Sequence, residues 1–169
     1  KVDVEFAPLA LEKSITLRLV GSSAGVLTDR ALVARIVQNL VSNAIKYTRP
    51  GGRVVVGCRR RGARVRLDVV DTGIGLSEAD QARIFEAFAQ ADATLARRHG
   101  GSGLGLTISR ALARLLGGDL TVSSAQGRGS VFRASIATGS LEGVGMLDAP
   151  QAIASPEPLP AVAYAREPE

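Results

Sequence analysis

The sequence reads as an α/β domain in which a long amphipathic helix packs on a sheet. Three observations predict this. Residues 29–48, DRALVARIVQNLVSNAIKYT, carry apolar residues in pairs, Leu32/Val33, Ile36/Val37, Leu40/Val41 and Ala44/Ile45. That is the spacing of one buried helical face. Two stretches alternate like hairpins, 53–71 and 120–136. A second amphipathic helix follows the glycine-rich run GGSGLGL, Gly100–Leu106. Burying each large apolar side chain of the first helix contributes about 1.5–3 kcal/mol. Ordering its backbone costs about 1–2 kcal/mol per residue. The helix therefore holds only when packed on a sheet.

Taken in order, residues 1–20 read as two extended runs, Val2–Phe6 and Ile15–Val20, joined by PLALEKS. In the second run Ile15, Leu17 and Leu19 alternate with Thr16 and Arg18, a half-buried strand. Gly21–Gly25 is a loop. Thr28 or Asp29 caps the long helix, and Pro50-Gly51-Gly52 stops it. A hairpin, Arg53–Arg60 and Arg64–Asp71, follows with Val54, Val56, Val65, Leu67 and Val69 as its buried side. The arginines at its turn (59, 60, 61, 64 and 66) suit a solvated face and discourage edge pairing. Ser77-Glu78-Ala79-Asp80 resembles a capping box and starts a short helix carrying Ile84, Phe85 and Phe88. Residues 89–100 form a long connector of the kind that serves as a lid. The second helix buries Ile108, Leu112 and Leu115/Leu116, and a last hairpin turns at Gln126–Gly129. From residue 139 the composition shifts to Gly, Ala, Pro and Glu, so the expected organisation is a domain at 1–138 and a flexible tail at 139–169.

The 169 residues suffice for one domain with a core. Aromatic content is 4% with no Trp, so aliphatic packing dominates. Net charge is +5, and nearly all cations are Arg; the lysines are Lys1, Lys13 and Lys46. No groove-reading motif or aromatic stacking platform accompanies the basic excess, so nucleic acid is not the expected partner. The single Cys58 excludes an internal disulfide and fits a reducing compartment. There is no signal-peptide pattern and no apolar run long enough to span a membrane, so a cytoplasmic location without membrane contact by this fragment is expected, with a membrane-anchored parent left open.

Three segments point to chemistry. On the long helix Asn39 and Asn43 stack one turn apart, and Lys46 and Tyr47 continue the stripe. An Asn carbonyl can ligate a hard cation, and Lys offers a point charge to phosphate. The stripe reads as facing a nucleotide and its metal. Second, Asp71 ends an apolar strand and opens DTGIGL; a buried Asp there needs a partner, either its own loop backbone in an Asx-turn or a ligand donor such as an exocyclic amine. Third, glycines ending at a helix N-terminus form an anion cradle. The run lacks the Lys-Ser/Thr of a Walker loop.

Together, NxxxNxxKYT (39–48), DTGIG (71–75), FEAF (85–88) and GSGLGL (101–106) closely resemble the N, G1, F and G2 boxes of the sensor histidine kinase ATP-binding domain. That domain belongs to the superfamily shared with gyrase B, Hsp90 and MutL. GRGSVF (127–132) resembles its last glycine motif, and the resemblance covers roughly residues 1–138. It implies a two-layer α/β sandwich of the Bergerat type: a mixed, mainly antiparallel sheet, about three helices on one face, and a mobile ATP lid. It implies ATP and Mg²⁺ as cofactors. Asn43 would ligate the metal, with Asn39 in the same polar network. Lys46 would contact phosphate, and Tyr47 would line the base or sugar. Asp71 would accept from the adenine amine, with Gly73, Ile74 and Gly75 in the base-side loop and the glycines giving room. Gly101, Ser102, Gly103, Leu104 and Gly105 would bring N–H groups to the phosphates. Ser130 would sit near Asp71.

ATP-hydrolysing members carry a general-base Glu one turn before the metal Asn. Here that position is Asn39, which cannot take a proton near neutral pH. The resemblance therefore implies a kinase that donates its γ-phosphate to a histidine on a separate dimerisation domain. A response-regulator receiver, possible in the same chain, stands downstream. His99, followed by two glycines, reads as a lid residue rather than the acceptor. This fragment is expected to be monomeric, bind ATP and not autophosphorylate; the parent would be a homodimer. Two other readings share the fold. Intact Asn39, Asn43, Asp71 and GSGLGL argue against a non-catalytic ATP sensor. An anti-sigma Ser/Thr kinase-like switch protein often keeps the Glu.

Overall fold

The computed structural model describes residues 2–22, 26–87 and 103–139. The elements run α1 (Val2–Glu12), β1 (Thr16–Val20), α2 (Arg30–Tyr47), β2 (Arg53–Arg61), β3 (Arg64–Asp71), α3 (Glu78–Arg83), α4 (Gly105–Leu115), β4 (Leu120–Ala125) and β5 (Gly129–Ala137). The strands form one sheet in the order β1-β2-β3-β5-β4. Only β1 and β2 are parallel; the other neighbours are antiparallel. The expected two-layer sandwich is therefore present, with four described helices rather than three.

The extra helix corrects the reading of the N-terminus. Val2–Phe6 is not extended but lies in α1, which runs through Pro8. The short V-D-V-E-F alternation mimics a strand. Phe6 and Ala10, one turn apart, are instead buried in the core cluster with α2. Tertiary packing thus overrides a proline that removes one helical hydrogen bond.

The long helix forms where its periodicity places it. Asp29 caps it, its Oδ1 accepting from the N–H of Ala31 at 2.8 Å and of Leu32 at 3.1 Å. Ile36, Leu40, Val41, Ala44 and Ile45 are buried against Val54, Val56 and Val69 of the sheet. Lys13, after α1, donates from Nζ to the carbonyls of Ile45 (3.0 Å) and Lys46 (2.8 Å), closing the C-terminal end of α2.

α4 differs from the expected face. Ile108 is 39% exposed and Leu115 74% exposed, whereas Ser109 and Ala113 are buried. Leu106, Leu112 and Leu116 do pack on the core. Small residues face inward because α4 approaches α2 closely: a Cβ on Gly105 would collide with the Asn39 amide. On the sheet, Asp68 pairs with Arg59 (3.2 Å) and Arg66 (3.1 Å), the half-solvated role expected of that arginine cluster. Phe88, the connector 89–100 with His99, and the tail beyond Gly139 lie outside the described residues.

Candidate functional site

The site is built where α2 ends, β3 ends and α4 begins. Asp71 is the last residue of β3 and only 6% exposed. Its Oδ1 accepts from the N–H of Gly73 at 2.8 Å and of Ser130 at 3.2 Å. The β3–β5 register sets Ser130 directly opposite Asp71, so the expected proximity of the two is present. Burial pushes the carboxyl up from 3.8 to about 6, while the two backbone donors pull it down. Both bonds fall on Oδ1, so the second oxygen is the acceptor they do not use.

The loop after Asp71 is wedged between helix and sheet. The N–H of Ile74 donates to the Tyr47 carbonyl at 3.2 Å, and its own carbonyl accepts from Gly127 N–H at 2.7 Å. A Cβ on Gly73 would press on the Tyr47 carbonyl and Asp71 Oδ1. Gly75, at φ +66°, would drive a Cβ into the Ala125 carbonyl. The requirement for glycine that is visible here is close approach of backbone to backbone, in addition to any room for a ligand.

The helix stripe falls as spaced. Asn39 and Asn43 are half-buried on one side of α2. Asn39 Nδ2 donates to Ser109 Oγ of α4 at 2.8 Å, and Ser109 is 1% exposed. Among the described residues no hydrogen bond engages the Asn43 amide. Lys46 Nζ lies 5.0 Å from the centre of the Tyr47 ring, and Tyr47 is 37% exposed. Gly103, at φ +68°, leads through Leu104 into α4, whose N-cap supplies no side-chain hydrogen bond. Gly101 and Ser102 lie outside the described residues.

Several supporting residues escaped sequence reasoning. Ser109 is the polar member of the stripe Leu106, Ser109, Leu112, Leu116, an available signal. Ser124 shares the inward alternation of Leu120 and Val122, and its Oγ meets Leu76 N–H, the Gly129 carbonyl and Ser130 Oγ. Gln81 of α3 pairs with both the N–H and the carbonyl of Ser124, each at 3.0 Å. Ser77 caps α3, accepting from Asp80 N–H and donating to Asp80 Oδ2 at 2.6 Å; the shorter Asp varies the expected box. Arg110 lies 4.7 Å from the centre of the Phe85 ring and holds Asp119, and Thr107 donates to the Glu86 carbonyl. Phe85 and Glu86 are thus clasped to α4.

Among the described residues no three His, Cys, Asp or Glu side chains gather as a metal site. A Mg²⁺ held by one amide oxygen, water and ligand phosphates is compatible with that donor set. The accessible Asn43 amide fits it. No described helix is long and apolar enough to cross a membrane.

Residues 28–139 match the family described as histidine kinase-, DNA gyrase B-, and HSP90-like ATPase. The signal transduction histidine-protein kinase BarA of Escherichia coli is 43% identical over 111 residues, 63% of this chain and 12% of that protein. The autoinducer 2 sensor kinase/phosphatase LuxQ of Vibrio cholerae is 40% identical over 166 residues, 94% of this chain and 19% of that protein. The chain therefore spans under a fifth of the length of these relatives. Among solved structures, full-length ShkA in complex with AMPPNP superposes with a TM-score of 0.71 at 34% identity, over 82% of this chain and 29% of that one. The mycobacterial sensor histidine kinase MprB gives 0.69 at 26% identity, over 81% and 91%.

Proposed function

The chain belongs to the histidine kinase-, DNA gyrase B- and HSP90-like ATPase family, and from that premise we propose that it binds Mg–ATP and presents the γ-phosphate to a histidine on a separate phosphoacceptor domain. The observation that carries the reading is Asp71: a buried carboxylate held at one oxygen by Gly73 and Ser130, beside a loop that is bonded to the end of α2. Its remaining oxygen accepts from the adenine amine. Guanine would set a carbonyl there and forfeit a charge-assisted bond worth about 1.5–3 kcal/mol.

Tyr47 and Ile74 flank the base and sugar, and Lys46 neutralises phosphate charge. Gly101–Gly105 and the start of α4 offer N–H groups at the positive end of a helix. Asn43 supplies the amide oxygen for Mg²⁺, which when bound neutralises charge on the phosphates as the phosphoryl group transfers. Asn39 cannot act as a base, and its donor N–H is committed to Ser109. Water is therefore left unactivated, which favours transfer over hydrolysis. The relatives named above are whole sensor kinases; on that likeness the partners are the chain's own phosphoacceptor domain and a response-regulator receiver, within two-component signalling in the cytoplasm.

The test is equilibrium binding of ATP to the full chain with Mg²⁺ and then with EDTA, with GTP as control. Saturable, adenine-selective binding strengthened by Mg²⁺ is expected. A folded sample that binds neither nucleotide overturns the reading.

A further inference from the structure

The proposed adenine pocket rests on a hydroxyl outside all of its recognised motifs. Ser124 lies on β4, yet its Oγ touches three groups that meet around Asp71. It is 2.8 Å from the Gly129 carbonyl, 2.8 Å from Leu76 N–H and 3.0 Å from Ser130 Oγ. The directions of these bonds are determined. A carbonyl can only accept, so Ser124 spends its single proton on Gly129. A backbone N–H can only donate, so Ser124 accepts from Leu76. With no proton left, Ser124 accepts from Ser130, and the Ser130 hydroxyl is the donor.

Two consequences follow. The peptide between Gly129 and Ser130 is gripped at both ends: its carbonyl accepts from Ser124 and its N–H donates to Asp71 Oδ1. Ser124 therefore orients the donor that fixes the Asp71 carboxylate. The Ser130 proton also points toward Ser124, so Ser130 Oγ keeps only lone pairs for any other partner. Gln81 holds Ser124 in place from the other side, pairing with its N–H and carbonyl at 3.0 Å each.

We infer that Ser124 is a positioning residue for base specificity: its saturated hydroxyl sets the direction of the hydrogen bonds so that Asp71 and Ser130 Oγ both present acceptors to the base. An amino group at purine position 6 brings two donors to such a wall; a keto oxygen brings none. This deepens the ATP reading and rests on it.

The experiment compares ADP with IDP, which shares the sugar and phosphates but carries a keto oxygen at position 6. Titration calorimetry on the full chain with Mg²⁺ reads both affinities. Ser124→Ala is expected to weaken ADP about tenfold and IDP less than twofold, collapsing the ratio. Ser124→Thr keeps a hydroxyl and should restore the ratio. If the Ala variant does not fold, Ser124→Cys retains the volume with a poor donor and should lower the ratio in the same direction. A merely structural Ser124 would weaken both ligands alike or leave the ratio unchanged, and either result overturns the inference while wild-type selectivity upholds the ATP reading. Binding of neither ligand by the folded wild-type chain overturns both.

Discussion

The base-side wall and the helix wall of the site are built in opposite ways. Around Asp71 the polar groups bind one another: Gly73 and Ser130 to the carboxylate, Ser124 to Ser130 and Gly129, Gln81 to Ser124. On α2, Asn39 is committed to Ser109, while the Asn43 amide takes no hydrogen bond from the described residues. The difference separates two tasks. The proposed selectivity for the base is fixed in advance by the fold, at the cost of burying a carboxylate. The proposed phosphate and metal contacts are completed by the ligand itself.

Breaking the first wall should have the largest effect. Asp71→Asn is expected to weaken ADP and ATP together by about tenfold to a hundredfold, the scale of a hydrogen bond to a charged group; calorimetry with both nucleotides checks it, and an effect confined to ATP contradicts it. The same change should stabilise the fold. A carboxyl raised from 3.8 to about 6 binds its proton more tightly in the folded state. Its unfavourable contribution is therefore absent below about pH 4, grows as pH rises, and is complete above about 6. At pH 8 the Asn variant should gain on the order of 2–3 kcal/mol over wild type, and at pH 4 nothing. Urea unfolding across this range measures the gap; parallel pH curves would contradict it. Nucleotide affinity of the wild type should move the other way, falling as pH drops below about 6 and the acceptor is protonated.

The second wall sharpens the contrast. Asn43→Ala should abolish the Mg²⁺-dependent gain in ATP affinity while changing stability by no more than about 0.5 kcal/mol, as for a partly exposed group without intramolecular bonds. Titrations with Mg²⁺ and with EDTA decide this, and an unaltered Mg²⁺ response removes Asn43 from the metal. The smallest effect belongs to Lys13→Met. It frees the last carbonyls of α2 and should cost about 1 kcal/mol of stability, read by thermal unfolding, with the ADP-to-IDP ratio unchanged.

Much of this architecture was legible because it follows local periodicity. The paired apolar residues of α2 and the alternation of β2 and β3 follow from short-range pattern; the nearness of Ser130 to Asp71 rests on a β3–β5 pairing between distant segments and was implied only by the family resemblance. The errors came where packing outweighed pattern. The first residues alternate like a strand, but Phe6 and Ala10 find α2, and α1 forms despite Pro8. The apolar spacing of α4 predicts a buried stripe through Ile108 and Leu115, whereas Gly105, Ser109 and Ala113 face inward because two helices touch there. The motifs exposed Asn39, Asn43, Lys46 and Asp71. They did not expose Ser124, Gln81 or Lys13, whose roles depend on which backbone groups the folded chain leaves open.

Gln81 carries a consequence of another kind. β4 is one of the two edge strands of the described sheet, and an edge strand offers its free peptide groups to any other chain that passes. Ser124 is a point where that offer is already taken, because a side-chain amide pairs with it as a neighbouring strand would. The glutamine thus occupies, at one residue of this edge, the backbone groups that a further strand would pair with. The residue that steadies the proposed base pocket thus also covers part of an edge strand, so the proposed base selectivity and the cover of that edge share one side-chain amide.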